Sequence, residues 1–155
     1  MIALAPDPID PAGLLAALIV DAAGAGAGAI ASFTGLVRDA HDGARVEGLW
    51  LDHHDRITAQ ALDEIGDAAT DRFALTALAI VHRVGAVAAG EPIVFVAAAA
   101  AHRRAAFDAV DYMMDRLKTE APLWKREIRS DGDHWIEARP DDHQDRARWE
   151  DVGGA

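Results

Sequence analysis

The chain has 155 residues, 51% of them hydrophobic, no cysteine and a formal net charge of -11, which gives enough length and apolar content for one compact domain with a buried core. The acidic balance argues against nucleic acid and anionic membrane as partners, because such surfaces repel one another at long range. The lack of cysteine removes disulfides, thiolate metal sites and a cysteine nucleophile together. No run reaches the roughly 18 apolar residues of a membrane span, and residues 14–20 lack the basic flank of a signal peptide, which points to the cytoplasm.

In chain order, residues 1–4 read as a short strand, and Asp10-Pro11 opens a helix to about residue 20, with aspartate at the cap and proline in the first turn. The glycines at 24, 26 and 28 invite a dinucleotide-binding reading. That fingerprint needs a strand before the glycines and a helix after them, and here the order is reversed, so the stretch reads as a loop. "AIASFTGLVRD" (29–39) and "VEGLWLD" (46–52) look like two strands joined by a hairpin at Asp42-Gly43. A helix follows over 55–72, with Ile57, Ala61, Ile65 and Ala68 or Ala69 on one face. "LTALAIVHRVG" and "EPIVFVAAAAA" are the most apolar strands, separated by a turn around Gly90. From Ala101 or His102 another helix carries Phe107, Val110, Met114 and Leu117 at three- and four-residue steps and ends at Pro122. "LWKREIR" and "HWIEA" form a last hairpin across "SDGD". Helices and hairpins mix without strict βαβ alternation, so the class is α+β, with antiparallel sheets and about three helices. Residues 1–139 form the domain and 140–155 an acidic, loosely ordered tail.

Chemistry concentrates in two places. All positive charge comes from 13 arginines except at Lys118 and Lys125, the only two lysines. Lysine can lose its proton when buried and guanidinium cannot, so a need for proton transfer would explain the pattern; drift in an Arg-rich chain explains it equally well. His102, Arg103 and Arg104 fall at a helix start, where cations oppose the helix dipole. An anion bound at the helix N-terminus would compensate, and arginines splayed into water or paired with nearby acids would do so too. Pro122 turns the chain so that Lys125 returns beside Lys118. His102 lies about 24 Å from Lys118 along the helix, so the two cannot meet within one helix. Arg38, at a strand end beside a loop, suits a ligand contact or a surface ion pair.

Other motifs carry less. Ser32 and Thr34 have no local base, and no serine elbow is present. "LDHHDR" gathers Asp52, His53, His54 and Asp55, but neighbours on a strand face opposite ways and cannot all reach one ion. His82 with Arg83 closes a buried strand and reads as a structural pair. The terminal Gly153-Gly154 reads as a flexible end.

The blocks "GAIASFTGLVRD", "IVHRVGAVAAGEPIVFV", "AHRRAAFDAVDYMMDRLKTEAPLWKRE" and "GDHWIEA" together resemble, in order and over about residues 28–138, the large, catalytic subunit family of molybdopterin synthase. The resemblance implies an α/β-hammerhead fold and a homodimer of large subunits within a heterotetramer. Each large subunit would dock a small ubiquitin-like sulfur-carrier subunit whose C-terminal Gly-Gly bears a thiocarboxylate. Sulfur would pass from that tail to cyclic pyranopterin monophosphate, giving the dithiolene of molybdopterin, and no cofactor or metal is implied. On this resemblance Lys118 and Lys125 are catalytic, as acid and base or through a transient acyl link. Arg38, His102 and Arg103 hold the phosphate, and Arg126 and Glu127 are substrate-binding. A site shared across the dimer would answer the distance from His102 to Lys118.

Two departures stand out. Asp52, His54 and Arg56 replace the family's usual glutamate, tyrosine and glycine, which bears on local packing or partner docking. Leu36 replaces a lysine frequent there, which bears on substrate charge pairing. Two other functions fit the residues alone: a phosphate-ligand binding or scaffold module without chemistry, and a metal hydrolase.

Overall fold

The computed structural model describes residues 1–137 and 140–150. Its elements run β1 (Ile2–Ala5), α1 (Pro11–Ala22), β2 (Ala29–Leu36), β3 (Ala40–His41), β4 (Ala44–Arg45), β5 (Gly48–His53), α2 (Asp55–Phe73), β6 (Ala77–Arg83), β7 (Gly85–Ala88), β8 (Pro92–Ala100), α3 (Arg103–Glu120), β9 (Leu123–Arg129), β10 (Gly132–Ile136) and α4 (Pro140–Ala147). The first sheet has the order β1-β6-β8-β2, parallel only between β1 and β6, and the second is antiparallel in the order β10-β9-β5-β7. The α+β class expected from the sequence is the class observed.

Local chemistry sets the helix ends. Asp10 accepts from the Ala12 amide at 3.1 Å and Pro11 takes the first position of α1, a pairing of side-chain acceptor and fixed φ that favours initiation. At α2 the cap is His54, whose Nδ1 accepts from the Ile57 amide at 3.4 Å. Thr58 adds a second tie, accepting from the His54 amide at 3.1 Å and donating to the Pro122 carbonyl at 3.0 Å. The divergent "LDHHDRIT" segment is thus a helix start joined to the turn between α3 and β9. Within it Asp52 accepts from the Trp50 indole and His53 pairs with Asp55. No group of three or more metal-binding side chains occurs among the described residues.

The core lies on both faces of the first sheet. Ala97–Ala100 of β8 are completely or almost completely buried, and their small side chains let helices approach from either side. Leu18 of α1 packs on Ala79, Phe95 and Ala97. On the other face Ile80, Val96 and Ala98 meet Leu62 and Ile65 of α2 and Ala106, Ala109 and Met113 of α3. Inside α2, Gly66 packs against β1, where an added Cβ would meet the Cδ1 tip of Ile2 at 2.6 Å. No helix among the described residues is long and apolar enough to cross a membrane.

Four expectations change. Asp42 and Gly43 do form a tight turn, with φ of 49° and 78°, but it joins only the short β3 and β4. β2 pairs with β8 in one sheet and β5 with β7 and β9 in the other, because the turn marks a crossing between sheets. The stretch between β6 and β8 contains an additional strand, β7, that pairs with β5. The buried stripe of α3 is Ala106, Ala109, Val110, Met113 and Leu117, whereas Phe107 is 60% exposed; alanines give the sheet-facing side its close approach. Finally, four helices are present among the described residues rather than about three. The fourth begins at Pro140, in the segment expected to be loosely ordered, and packs on α3. Gly153-Gly154 lie outside the described residues.

Candidate active site

Strand β9 organises the site. Alternation points Leu123, Lys125, Glu127 and Arg129 to one face of the second sheet, and those four line a cavity of about 800 Å³. Lys118 enters from the last turn of α3, Arg38 and His41 from the chain after β2, His134 from β10 and Asp142 from α4. The turn at Ala121-Pro122 carries the chain from Lys118 back to Lys125. Both lysines therefore reach one cavity.

The two amines have different surroundings. Lys118 is half exposed, and its Nζ donates to Asp142 Oδ1 at 2.9 Å. Lys125 is recessed, and burial, with the positive charge of Lys118 second, holds its pKa below the ordinary lysine value, while Asp142 opposes the shift. This is the direction that desolvation and a like charge must produce. His82, buried beneath on β6, is pushed down to about 4 by its own burial, with Lys125 contributing. Its ring is therefore neutral, and Nδ1 donates to the Arg83 carbonyl at 2.7 Å.

Glu127 is nearly fully buried, with partners at both of its oxygens. Arg129 donates to its Oε2 through Nε at 2.7 Å and through the adjacent NH2. His41 Nδ1 lies 2.7 Å from Oε1, a close polar contact whose direction is off that of a hydrogen bond. The carboxylate thus ties the β3–β4 hairpin to the cavity wall.

Of the residues singled out in the sequence, the structure brings Lys118, Lys125, Arg38 and Glu127 to this cavity. Arg126 goes to the opposite face of β9, between Trp50 and Trp135 and bonded to Asp133. Its neighbours in sequence face the cavity, and strand alternation turns it away. His102 is the N-cap residue of α3 without a side-chain cap bond, and His102 and Arg103 are exposed. Helix α3 separates them from Lys118 by about 24 Å or slightly less. Arg104 lies 3.8 Å from Asp108 one turn on. Sequence reasoning missed His41, Arg129, His134 and Asp142. The period of two from Lys125 would have found Arg129; the other three come from distant segments and left no local signal.

Comparison with known proteins now decides the family. The family model described as MoaE protein matches residues 4–120. The chain belongs to the MoaE family. Among its relatives, the molybdopterin synthase catalytic subunit of Pseudomonas aeruginosa is 48% identical over 126 residues, covering 81% of this chain and 84% of the relative. A MoaE-family structure, the molybdopterin biosynthesis MoaE protein from Burkholderia ambifaria, superposes with a TM-score of 0.80 at 40% identity, covering 97% of each chain. A more distant neighbour shares the fold, with a TM-score of 0.75 at 22% identity over 89% of this chain and 91% of its own. It is from Helicobacter pylori, solved as a protein-protein complex of subunits 1 and 2 of molybdopterin-converting factor.

Proposed function

We propose that the chain is the catalytic large subunit of a molybdopterin synthase, acting in molybdenum cofactor biosynthesis. With a small ubiquitin-like partner it transfers sulfur from that partner's C-terminal thiocarboxylate to cyclic pyranopterin monophosphate. The observation that carries the reading is that the only two lysines of a MoaE-family chain open onto one cavity with unlike surroundings. Its size suits a phosphate-bearing pterin together with an extended tail whose glycines have no side chains to exclude.

The chemistry follows from those surroundings. Lys125, held below the ordinary lysine range, offers a neutral amine nearer neutrality than a solvated lysine does. That amine exchanges protons with the pterin side chain, or bonds transiently to the acyl carbon of the tail as sulfur leaves. Lys118 presents an ammonium to the anionic group, and Arg38 adds a fixed guanidinium at the cavity wall. Two rounds of transfer give the dithiolene.

His102 and Arg103 join this site if two copies associate. β2 is the edge of its sheet, and between it and α3 lies an apolar groove of about 310 Å³ lined by Phe33, Phe107, Val110 and Met114 that ends at Lys118. Phe33 and Phe107 are 41% and 60% exposed, so a second copy docking here would cover apolar surface. A twofold axis crossing α3 sets the two helices antiparallel, bringing His102 and Arg103 of one copy toward Lys118 of the other. These residues then add phosphate-binding donors.

Mixing the chain with a purified small subunit, intact or lacking its two terminal glycines, tests the partnership. The intact partner should co-elute and, once thiocarboxylated, yield molybdopterin. Absence of both results with the intact partner rejects the reading.

A further inference from the structure

Asp142 was not among the residues the sequence singled out, yet it is the acid that meets a lysine of the site directly. Its Oδ1 is 2.9 Å from Lys118 Nζ, and its side chain is 14% exposed against 50% for the lysine. It also lines the cavity that Lys125 enters. Its placement is fixed by the segment that carries it. Beyond Asp142, Arg146 bonds Glu120, Arg148 reaches Asp111 and Asp115 at 2.8 Å, and the Trp149 indole donates to Asp115 at 2.7 Å. The Trp149 ring packs edge-on against Tyr112 and Phe73, with centroids 5.4 and 6.0 Å away. An anchored helix therefore brings this carboxylate to a half-exposed ammonium, a contact of the kind that an incoming anion can replace.

We propose that Asp142 is a positioning residue of the lysine pair: from α4 it holds the Lys118 ammonium at the cavity wall and yields that ammonium to the anionic group of the ligand. The proposal rests on the functional reading above for the identity of the ligand, and on geometry alone for the contact. A consequence follows for the second lysine. Lys125 is faced by Lys118 from α3, Asp142 from α4 and His82 from β6, with Glu127 and Arg129 beside it on β9 and Arg38, His41, Asp42, His134 and Glu137 around the cavity. Asp142 is the acid acting to keep Lys125 protonated. Removing its charge must therefore move the Lys125 titration further down.

Because the chain has only two lysines, isotope-labelled lysine in the full-length protein gives one side-chain signal for each. The wild type is compared with Asp142→Asn, Asp142→Glu and Asp141→Asn, the last removing an adjacent charge that does not line the cavity; the Trp149 indole signal reports that α4 stays docked. In Asp142→Asn the Lys125 midpoint should fall, and inorganic phosphate should perturb the Lys118 signal at about three- to fivefold lower concentration, the size of one exposed ion pair. Asp142→Glu should restore both. An unchanged phosphate response in Asp142→Asn, or an equal gain in Asp141→Asn, overturns the proposal. Neither signal depends on turnover, so failure to make molybdopterin would reject the functional reading and leave this test standing.

Discussion

Lys118 lies in the last turn of α3 and Lys125 on β9 just past the Ala121-Pro122 turn, and the two amines open onto the same cavity, one half exposed and the other recessed. Arginine at either position keeps the charge and removes the ability to give up a proton. Lys125→Arg should lower kcat by about 10²- to 10⁴-fold, the usual contribution of a positioned acid or base. The wild-type rate should fall on the acid side as Lys125 takes up a proton, with a midpoint below the ordinary lysine value of about 10.4. Steady-state rates across pH check both; a binding module without chemistry would keep its function in the arginine variant.

The clamp on Glu127 predicts a stability effect. Removing Arg129 leaves a nearly buried carboxylate without its guanidinium partner, with His41 still beside it. Arg129→Met should cost about 2–3 kcal/mol, or roughly 5–10 °C in melting midpoint for a chain of this length. Glu127→Gln should cost less, since the amide oxygen still accepts from Arg129. A double-mutant cycle by thermal denaturation should give a sum of the single losses larger than the double-variant loss.

Acid should destabilise the fold through His82. Its folded pKa is about 4 against an ordinary 6.5, so between those values the unfolded chain binds a proton that the folded chain refuses. Stability should therefore decline as pH falls from about 6.5 toward about 4, by on the order of 3 kcal/mol. His82→Asn, which keeps a donor for the Arg83 carbonyl, should lose this part of the slope. Urea unfolding at a series of pH values measures it.

A site shared between copies predicts complementation. A His102→Ala/Arg103→Ala chain and a Lys118→Ala chain should each be inactive. After unfolding and refolding together, half the dimers are mixed and each holds one intact site of two, so roughly a quarter of wild-type activity should return. No recovery would mean that His102 and Arg103 serve elsewhere.

Much of this was legible in the sequence, for identifiable reasons. Asp10-Pro11, the existence of α3, Pro122 and the turn between β9 and β10 act locally, and the structure keeps them, although the buried face of α3 differs from the expected one. The rarity of lysine marked the cavity because composition needs no knowledge of the fold. Sheet membership was not legible: Asp42-Gly43 gives a turn, but nothing nearby shows that β2 and β5 belong to different sheets. Four residues between glycine-bearing turns concealed β7. Arg126 was misplaced by taking "WKRE" as a block, although alternation separates it from Lys125 and Glu127. His41 and Asp142 meet the site only through tertiary packing, and α4 has no buried residue of its own to mark it; its docking depends on charges and on Trp149.

The central claim is that this chain makes the carbon–sulfur bonds of molybdopterin through its two lysines, and reconstitution tests it most directly. Purified chain, thiocarboxylated small subunit and cyclic pyranopterin monophosphate are mixed, and dithiolene product is measured against the tail's return to a carboxylate. The account predicts product with two tails consumed per molecule, and near-complete loss in Lys125→Arg with partner binding intact. Absence of product from the wild-type mixture, or full turnover by Lys125→Arg, would contradict it.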